Sequence, residues 1–223
     1  PDDTRDGTFT GYRVLIGQFY HSGDMKAPIE ALQMKGFQVD NVKSESEFVR
    51  ELQSNRYQVA WVISSSSIET DTFVPTLLDF HAAGGAIFLF ADNVPYVAHA
   101  SAFLDTKFHI TLTGNYPGNR ILTRNHHGHS QAGHFVPHEM FTGIETLFEG
   151  VTICHPVCSM ARSEPAMTTL ATATNGQPCI TAFAPPSGSS EGRLCLDCGF
   201  TKLFINWDSP GTPQFIVNAS CWL

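Results

Sequence analysis

The chain has 223 residues, of which 42% are hydrophobic and 15% are charged, and its formal net charge is -8. This composition indicates a globular protein with one sizeable core, so we expect a single domain over residues 1–223. The acidic balance argues against nucleic acid and anionic membranes as partners, and no apolar run reaches the roughly 18 residues that span a bilayer.

The first part of the chain alternates predicted strands with predicted helices. Gly36 and Gly84 follow two of the helices and are suited to end them. The run Phe37–Val42 alternates apolar and polar residues, which is typical of a strand near a sheet edge. The predicted elements are strand Tyr12–Phe19, helix Met25–Lys35, strand Phe37–Val42, helix Ser46–Ser54, strand Tyr57–Ile63, helix Thr70–Ala83 and strand Ala86–Phe90.

The strand Ala86–Phe90 is continuously apolar, which a central strand of a parallel sheet requires because both of its faces are covered. It leads directly into Ala91, Asp92 and Asn93. In many α/β enzymes this position carries a nucleophile on a sharp turn. Neither Ser nor Cys stands there in this chain.

Regularity weakens after this strand. A helix is predicted near Tyr96–Leu104, and a passage rich in Gly, Asn and His over Thr113–Pro137 is predicted as a long loop. Strands then return, and Pro185–Gly192 is predicted as a hairpin tip because the strands on either side look like partners. The later elements are strands Glu149–His155, Thr168–Thr174, Cys179–Ala184 and Arg193–Cys198 and helix Thr212–Leu223.

Strands that alternate with helices predict an α/β fold with a doubly wound, mainly parallel sheet, helices on both faces and additional C-terminal strands. Four passages stand out within these elements: RVLIG at 13–17, LLDFHAAGGAIFL at 77–89, HEMFTGI at 138–144, and GRLCLDCG at 192–199 together with NASCWL at 218–223. Through these passages and the order of its elements, the chain resembles the class I glutamine amidotransferase-like superfamily, whose fold is flavodoxin-like.

Two branches of that superfamily are most similar: the trehalose-utilisation-like proteins, and the domain shared by gliding-motility components and an intraflagellar-transport complex B subunit. The second fits slightly better. Glutaminases of the superfamily carry a Gly-x-Cys-x-Gly elbow, whereas this chain has Phe90-Ala91-Asp92-Asn93 at that position. The resemblance therefore implies the fold without the thioester chemistry.

Ligands of open α/β sheets bind outside the carboxyl ends of the strands. This rule selects a set of polar side chains that follow predicted strands. Asp92 is a candidate base or ligand contact there, and the alternative is that Asp92 and the serines cap helices. The candidate ligand-binding residues are Gln18, His21, Ser64, Ser65, Asp92, Asn93 and Lys202.

Histidines within the predicted loop form a second candidate site. Imidazole is the commonest ligand for several transition metals, so His126, His127 and His129 are candidate metal ligands. A solvated loop is the alternative, since a Gly-containing run need not bring its ligands together. Asp92 with one of His126, His127 or His129 is the candidate acid–base pair.

The six cysteines are predicted to be reduced, which favours a cytoplasmic protein. Cys154, Cys158, Cys195 and Cys198 have spacings that a zinc site can use, but Cys195 lies in a predicted strand whose alternate side chains point to opposite faces. We expect no cofactor. The leading hypothesis is a non-catalytic module that binds a partner protein, another domain of a larger parent chain or a small polar ligand. The alternative is a hydrolase or other enzyme that uses Asp92 with a loop histidine, with or without a metal.

Overall fold

The computed structural model of the protein describes residues 7–127, 131–158 and 166–223. Its main feature is a ten-stranded sheet in the order β2-β1-β3-β4-β12-β11-β10-β7-β6-β8, and β5 and β9 form a separate two-stranded sheet. The strands are β1 Arg13–Gln18, β2 Gln38–Val42, β3 Val59–Ile63, β4 Ala86–Phe90, β5 Ile110–Tyr116, β6 Ile121–Arg124, β7 His134–Phe135, β8 Thr146–Phe148, β9 Ile153–Cys158, β10 Thr168–Thr172, β11 Pro178–Phe183 and β12 Leu194–Asp197.

Five α-helices connect or cover these strands within the described ranges. Short 3-10 turns at Glu139–Phe141 and Phe200–Leu203 supplement them. None of these helices is both long and apolar enough to cross a membrane. The helices are α1 Lys26–Met34, α2 Glu45–Leu52, α3 Phe73–Ala82, α4 Ala98–Phe108 and α5 Thr212–Trp222.

The strands β2, β1, β3, β4 and β12 are parallel neighbours, which confirms the predicted α/β fold with a mainly parallel, flavodoxin-like core. Strand β4 lies between β3 and β12, and all five of its residues are buried. Its apolar run follows from this position, because side chains on both faces meet the core. Strand β2 is an edge strand, as its alternating pattern predicts.

The second half of the sheet is largely antiparallel. Strands β11 and β12 pair antiparallel around the predicted hairpin tip at 185–192, so the prediction that they are partners is confirmed. Strands β10, β7, β6 and β8 extend the sheet beyond them.

The prediction of one long loop over Thr113–Pro137 is wrong. The passage contains the end of β5 and the whole of β6 and β7. These strands are short and each buries few side chains, Leu122 in β6 and Phe135 in β7, so they leave almost no apolar period in the sequence.

The predicted strand Glu149–His155 is also wrong in its bounds. Strand β8 ends at Phe148 and β9 begins at Ile153, with a turn between them. Gly150 in this turn has φ +127°, a conformation that favours glycine and ends the strand. The helix predicted near Tyr96–Leu104 instead begins at Ala98 and continues to Phe108, while the cis Val94-Pro95 bond precedes it.

Candidate functional site

The carboxyl ends of β1, β3, β4 and β12 meet at one edge of the sheet, because these four strands are parallel neighbours. We call this the carboxyl edge. Asp92 lies here, just after β4, and is only 1% exposed. Its Oδ1 accepts hydrogen bonds from Thr152 Oγ1 at 2.5 Å and from the Asn93 backbone N–H at 2.8 Å, and its Oδ2 accepts one from the Thr201 N–H at 3.2 Å.

Burial raises the pKa of the Asp92 carboxyl, and the hydrogen bonds from Thr152, Asn93 and Thr201 act in the opposite direction. The three donors come from the β4 turn, the turn before β9 and the turn after β12. Asp92 therefore ties three loops of the carboxyl edge together. Asn93 shares in this contact, since its Oδ1 lies 3.0 Å from Thr152 Oγ1 and the two acceptors share the single hydroxyl proton.

The serines that follow β3 position helix α4. Ser64 is buried, and its Oγ accepts a hydrogen bond from the Ala100 N–H at 3.1 Å, so it caps α4 from the neighbouring strand. The backbone oxygen of Ser65 accepts from the Ala98 N–H at 3.0 Å. Ser65 Oγ donates to Ser67 O at 2.9 Å, within its own loop.

Gln18, at the end of β1, is 1% exposed, and its side-chain amide makes hydrogen bonds within the protein. Its Nε2 donates to Gly23 O at 2.7 Å and to Tyr20 O at 3.3 Å, and its Oε1 accepts from Asn41 Nδ2 at 3.1 Å. It fixes the loop that follows β1. His21 in that loop is exposed, and its Nε2 lies 3.2 Å from Lys43 O.

Lys202 is fully buried rather than presented to a ligand. Its Nζ lies 2.9 Å from Asp197 Oδ1, and both side chains are at most 1% exposed. The same carboxylate oxygen accepts a hydrogen bond from the Gly199 N–H at 3.0 Å. This ion pair holds the turn after β12 against the end of its own strand.

Four aromatic residues form a cluster at the carboxyl edge, and the sequence does not predict that their rings come together. The ring of Tyr20 lies 5.3 Å from that of Tyr96, 5.0 Å from that of Phe200 and 5.9 Å from that of Phe204. These four residues, the aromatic cluster, follow β1, β4 and β12. The available signal was the presence of aromatic residues after several strands that end at one edge.

The loop histidines lie elsewhere. His126 and His127 are exposed residues just after β6. Strand β6 runs antiparallel to β4 and is five strands away from it, about 24 Å at about 4.8 Å per strand. Their turn is therefore at the opposite edge of the sheet, and the structure does not bring them together with Asp92.

His126 Nε2 lies 3.8 Å from Glu145 Oε2. His129 lies outside the described residues. Within residues 7–127, 131–158 and 166–223, no three His, Cys, Asp or Glu side chains are grouped so as to hold a metal ion. Three of the cysteines with zinc-like spacings, Cys154, Cys195 and Cys198, are free thiols, as is Cys179. Cys195 and Cys198 are fully buried, and burial raises the pKa of each well above its usual value.

No protein-family model matches the chain, and no curated protein matches it in sequence. Solved structures do match its fold. The mmIFT52 N-terminal domain is 10% identical with a TM-score of 0.61, over 94% of this chain and 96% of that one. A putative ThuA-like protein from Bacteroides uniformis is 14% identical with a TM-score of 0.56, over 96% and 91% of the two chains. Another from Parabacteroides merdae is 15% identical with a TM-score of 0.51, over 96% and 89%.

These matches span nearly the whole of each chain compared. Together with the sheet order, they show that this chain has the α/β fold that ThuA-like proteins and the mmIFT52 N-terminal domain share. At sequence identities this low, the matches support a shared fold and do not indicate a shared activity.

Proposed function

We propose that the chain is a non-catalytic amidotransferase-like module that binds a partner protein through the carboxyl edge of its sheet. The observation that carries this proposal is the aromatic cluster around Tyr20. In an enzyme of this architecture the carboxyl edge holds the reacting groups. Here three partly exposed aromatic rings, those of Tyr20, Tyr96 and Phe204, cluster with the buried ring of Phe200 at that edge.

The polar groups beneath the cluster are engaged in internal contacts. Asp92 accepts three hydrogen bonds, Gln18 has partners for both of its amide atoms, and Lys202 is paired with Asp197. A general base must be able to reach a proton of its substrate, directly or through one water. The buried and occupied carboxylate of Asp92 favours a structural role over that of a base.

Exposed apolar side chains next to the cluster in sequence support a protein partner. Ile205 follows Phe204 and is 76% exposed, and Val94 precedes Tyr96 by two residues and is 45% exposed. Single exposed apolar residues are common, but aromatic rings with aliphatic side chains beside them are the usual composition of an interface centre. The match to mmIFT52 is a match to one domain of a larger protein, which is consistent with a module of this kind.

The test is affinity capture with the immobilised protein, followed by identification and purification of the captured partner. Ile205→Asp is expected to weaken binding of the purified partner by about tenfold or more, since a charge is placed in an apolar contact. The matched control is Met34→Asp, because Met34 is 64% exposed and lies at the far end of α1, near the opposite edge of the sheet. The control is expected to bind the partner as the unaltered protein does.

Two results would overturn the proposal. The first is a partner whose affinity is reduced equally by both variants or by neither. The second is hydrolysis of glutamine, amides or sugar esters that is lost in a folded Asp92→Asn variant. A third result would favour the small polar ligand that the sequence also predicts. It is a small polar ligand that binds at this edge with the same affinity in Ile205→Asp as in the unaltered protein.

A further inference from the structure

A cleft of about 580 Å³ opens at the amino edge of the sheet, the edge opposite the aromatic cluster. In a parallel sheet the connecting helices run back from the carboxyl edge, so α2 and α3 both end here. The cleft lies between those two helix ends and the residues that lead into β3 and β4. Its volume is within the range of small-molecule sites.

The walls of this cleft favour positive charge. Asp79 is its one charged lining residue, and its carboxylate makes no hydrogen bond or ion pair within the described part of the chain. The carboxyl ends of α2, near Gln53, and of α3, near Ala83, add partial negative charge from their helix dipoles. Arg56 is the nearest cation in sequence, and it is engaged in an ion pair with Glu51.

The rest of the lining suits an apolar stem and a hydrogen-bonding head group. A Cβ atom on Gly85 would lie 2.4 Å from the Phe80 ring, so the ring packs directly on the glycine backbone and forms an apolar wall. Gln53 and Asn55 supply amide groups at the rim, and Thr76 supplies a hydroxyl. A cation that approaches the face of an aromatic ring gains further stabilisation.

We propose that this cleft binds an organic cation, with a guanidinium or ammonium head group that contacts Asp79 and a short apolar stem that lies against Phe80. A guanidinium is the better fit, because its planar fork matches a carboxylate with two parallel hydrogen bonds. The head group can belong to a free small molecule or to an arginine side chain of a peptide. The site is separate from the carboxyl edge and does not depend on the function proposed for that edge.

The experiment follows backbone amide NMR shifts of the whole protein during titration with n-butylguanidinium. Saturable shifts are expected around residues 52–58 and 76–85. Butan-1-ol, with the same stem and no charge, is expected to bind about tenfold more weakly, and butyrate is expected to give no shifts there. An acetylated and amidated Gly-Arg-Gly peptide distinguishes the sources: tighter binding than n-butylguanidinium assigns a peptide ligand, and weaker binding assigns a small molecule.

The variant pair is Asp79→Asn and Asp105→Asn. Both aspartates are exposed helical residues, and Asp105 lies on α4, away from the cleft. Asp79→Asn is expected to weaken n-butylguanidinium binding by about tenfold with an unchanged melting temperature, and Asp105→Asn to leave it unchanged. Absence of saturable shifts, shifts confined to other surfaces, or equal binding by the two variants would each overturn the proposal.

Discussion

The imidazole of His99 donates a hydrogen bond from Nε2 to Glu45 Oε1 across 2.8 Å, and both side chains are almost entirely buried. The tautomer follows from the other ring nitrogen, because Nδ1 accepts the backbone N–H of Ser65 at 3.2 Å. Glu45 also accepts the backbone N–H groups of Glu69 at 2.9 Å and Thr70 at 2.7 Å. One carboxylate thus joins α2, α4 and the segment before α3.

We expect Glu45→Ala to lower the free energy of unfolding by about 3–5 kcal/mol, because it leaves buried donors without an acceptor. Chemical denaturation monitored by circular dichroism measures the loss. Glu47→Ala is the matched control on the same helix, since the Glu47 side chain is half-exposed and its nearest cation, Arg50, is 3.6 Å away at the surface. The control is expected to change stability by no more than about 0.5 kcal/mol, and equal losses in the two variants would contradict the prediction.

Stability should also depend on pH through His99. Burial lowers the pKa of His99 below its usual value of 6.5, while Glu45 acts in the opposite direction. The unfolded chain therefore binds a proton at a higher pH than the native protein does. The contribution of neutral His99 to the free energy of unfolding is present above pH 6.5. It is lost as the pH falls from 6.5 toward the pKa of His99 in the native protein.

The measurement is the difference in free energy of unfolding between the unaltered protein and His99→Asn, from about pH 8 to about pH 5. Subtraction removes the contributions of the other buried histidines. The advantage of the unaltered protein is expected to shrink as the pH falls, by up to about 1.4 kcal/mol per pH unit. A difference that stays constant over this range would be inconsistent with a buried neutral imidazole.

The contribution of Asp92 to the free energy of unfolding should be larger at low pH than at neutral pH. Burial raises its pKa above the usual value of 3.8, so the native protein binds the Asp92 proton more tightly than the unfolded chain does. Its contribution is fully present below pH 3.8 and is lost as pH rises through the native pKa. Relative to Asp92→Asn, the unaltered protein is expected to lose stability as the pH rises from about 3.8, and a relative gain would contradict the prediction.

The parallel half of the fold could be predicted because a strand that is buried on both faces is a continuous run of apolar residues in the sequence. Each position of Ala86–Phe90 is apolar, and Gly84, with φ +99°, ends the preceding helix. The strands β6 and β7 could not be predicted in this way. They depend on pairing with β8 and β10, which are distant in sequence, and a two-residue strand such as His134–Phe135 has no period of its own.

The candidate site could be predicted in position but not in contacts. The rule that parallel strands end at one edge locates Gln18, Ser64 and Asp92 there. Several of their partners are distant in sequence, as with Thr152, whose hydroxyl donates to Asp92 across 60 positions. The residues of the aromatic cluster likewise come from separate turns, so their rings meet only when the strands of the sheet have paired.

The buried pair of Asp197 and Lys202 should show strong coupling. Lys202→Met leaves the Asp197 carboxylate without its cation and is expected to cost about 3–5 kcal/mol. The double variant Asp197→Val with Lys202→Met removes both charges and is expected to be more stable than Lys202→Met alone. A double-mutant cycle measured by denaturation tests this, and additive losses would show that the two groups act independently.

The two glycines of the 185–192 hairpin should respond differently to alanine. A Cβ atom on Gly192 would lie 2.0 Å from the backbone oxygen of Gly85, at the entry to β4. Since that atom belongs to backbone and the Gly192 N–H also donates to His81 O at 2.9 Å, the clash cannot be relieved by rotating a side chain. Gly188 has φ +86° and open space around it, so only backbone strain opposes alanine there.

We therefore expect Gly192→Ala to destabilise the protein by about 3 kcal/mol, at the upper end of the cost of overpacking, and Gly188→Ala by about 1 kcal/mol. Thermal and urea denaturation of the two variants measure both losses. The reverse order would mean that the hairpin does not pack against the start of β4. Equal losses would also contradict the prediction, because Gly192 does not have a positive φ and contact is what opposes alanine there.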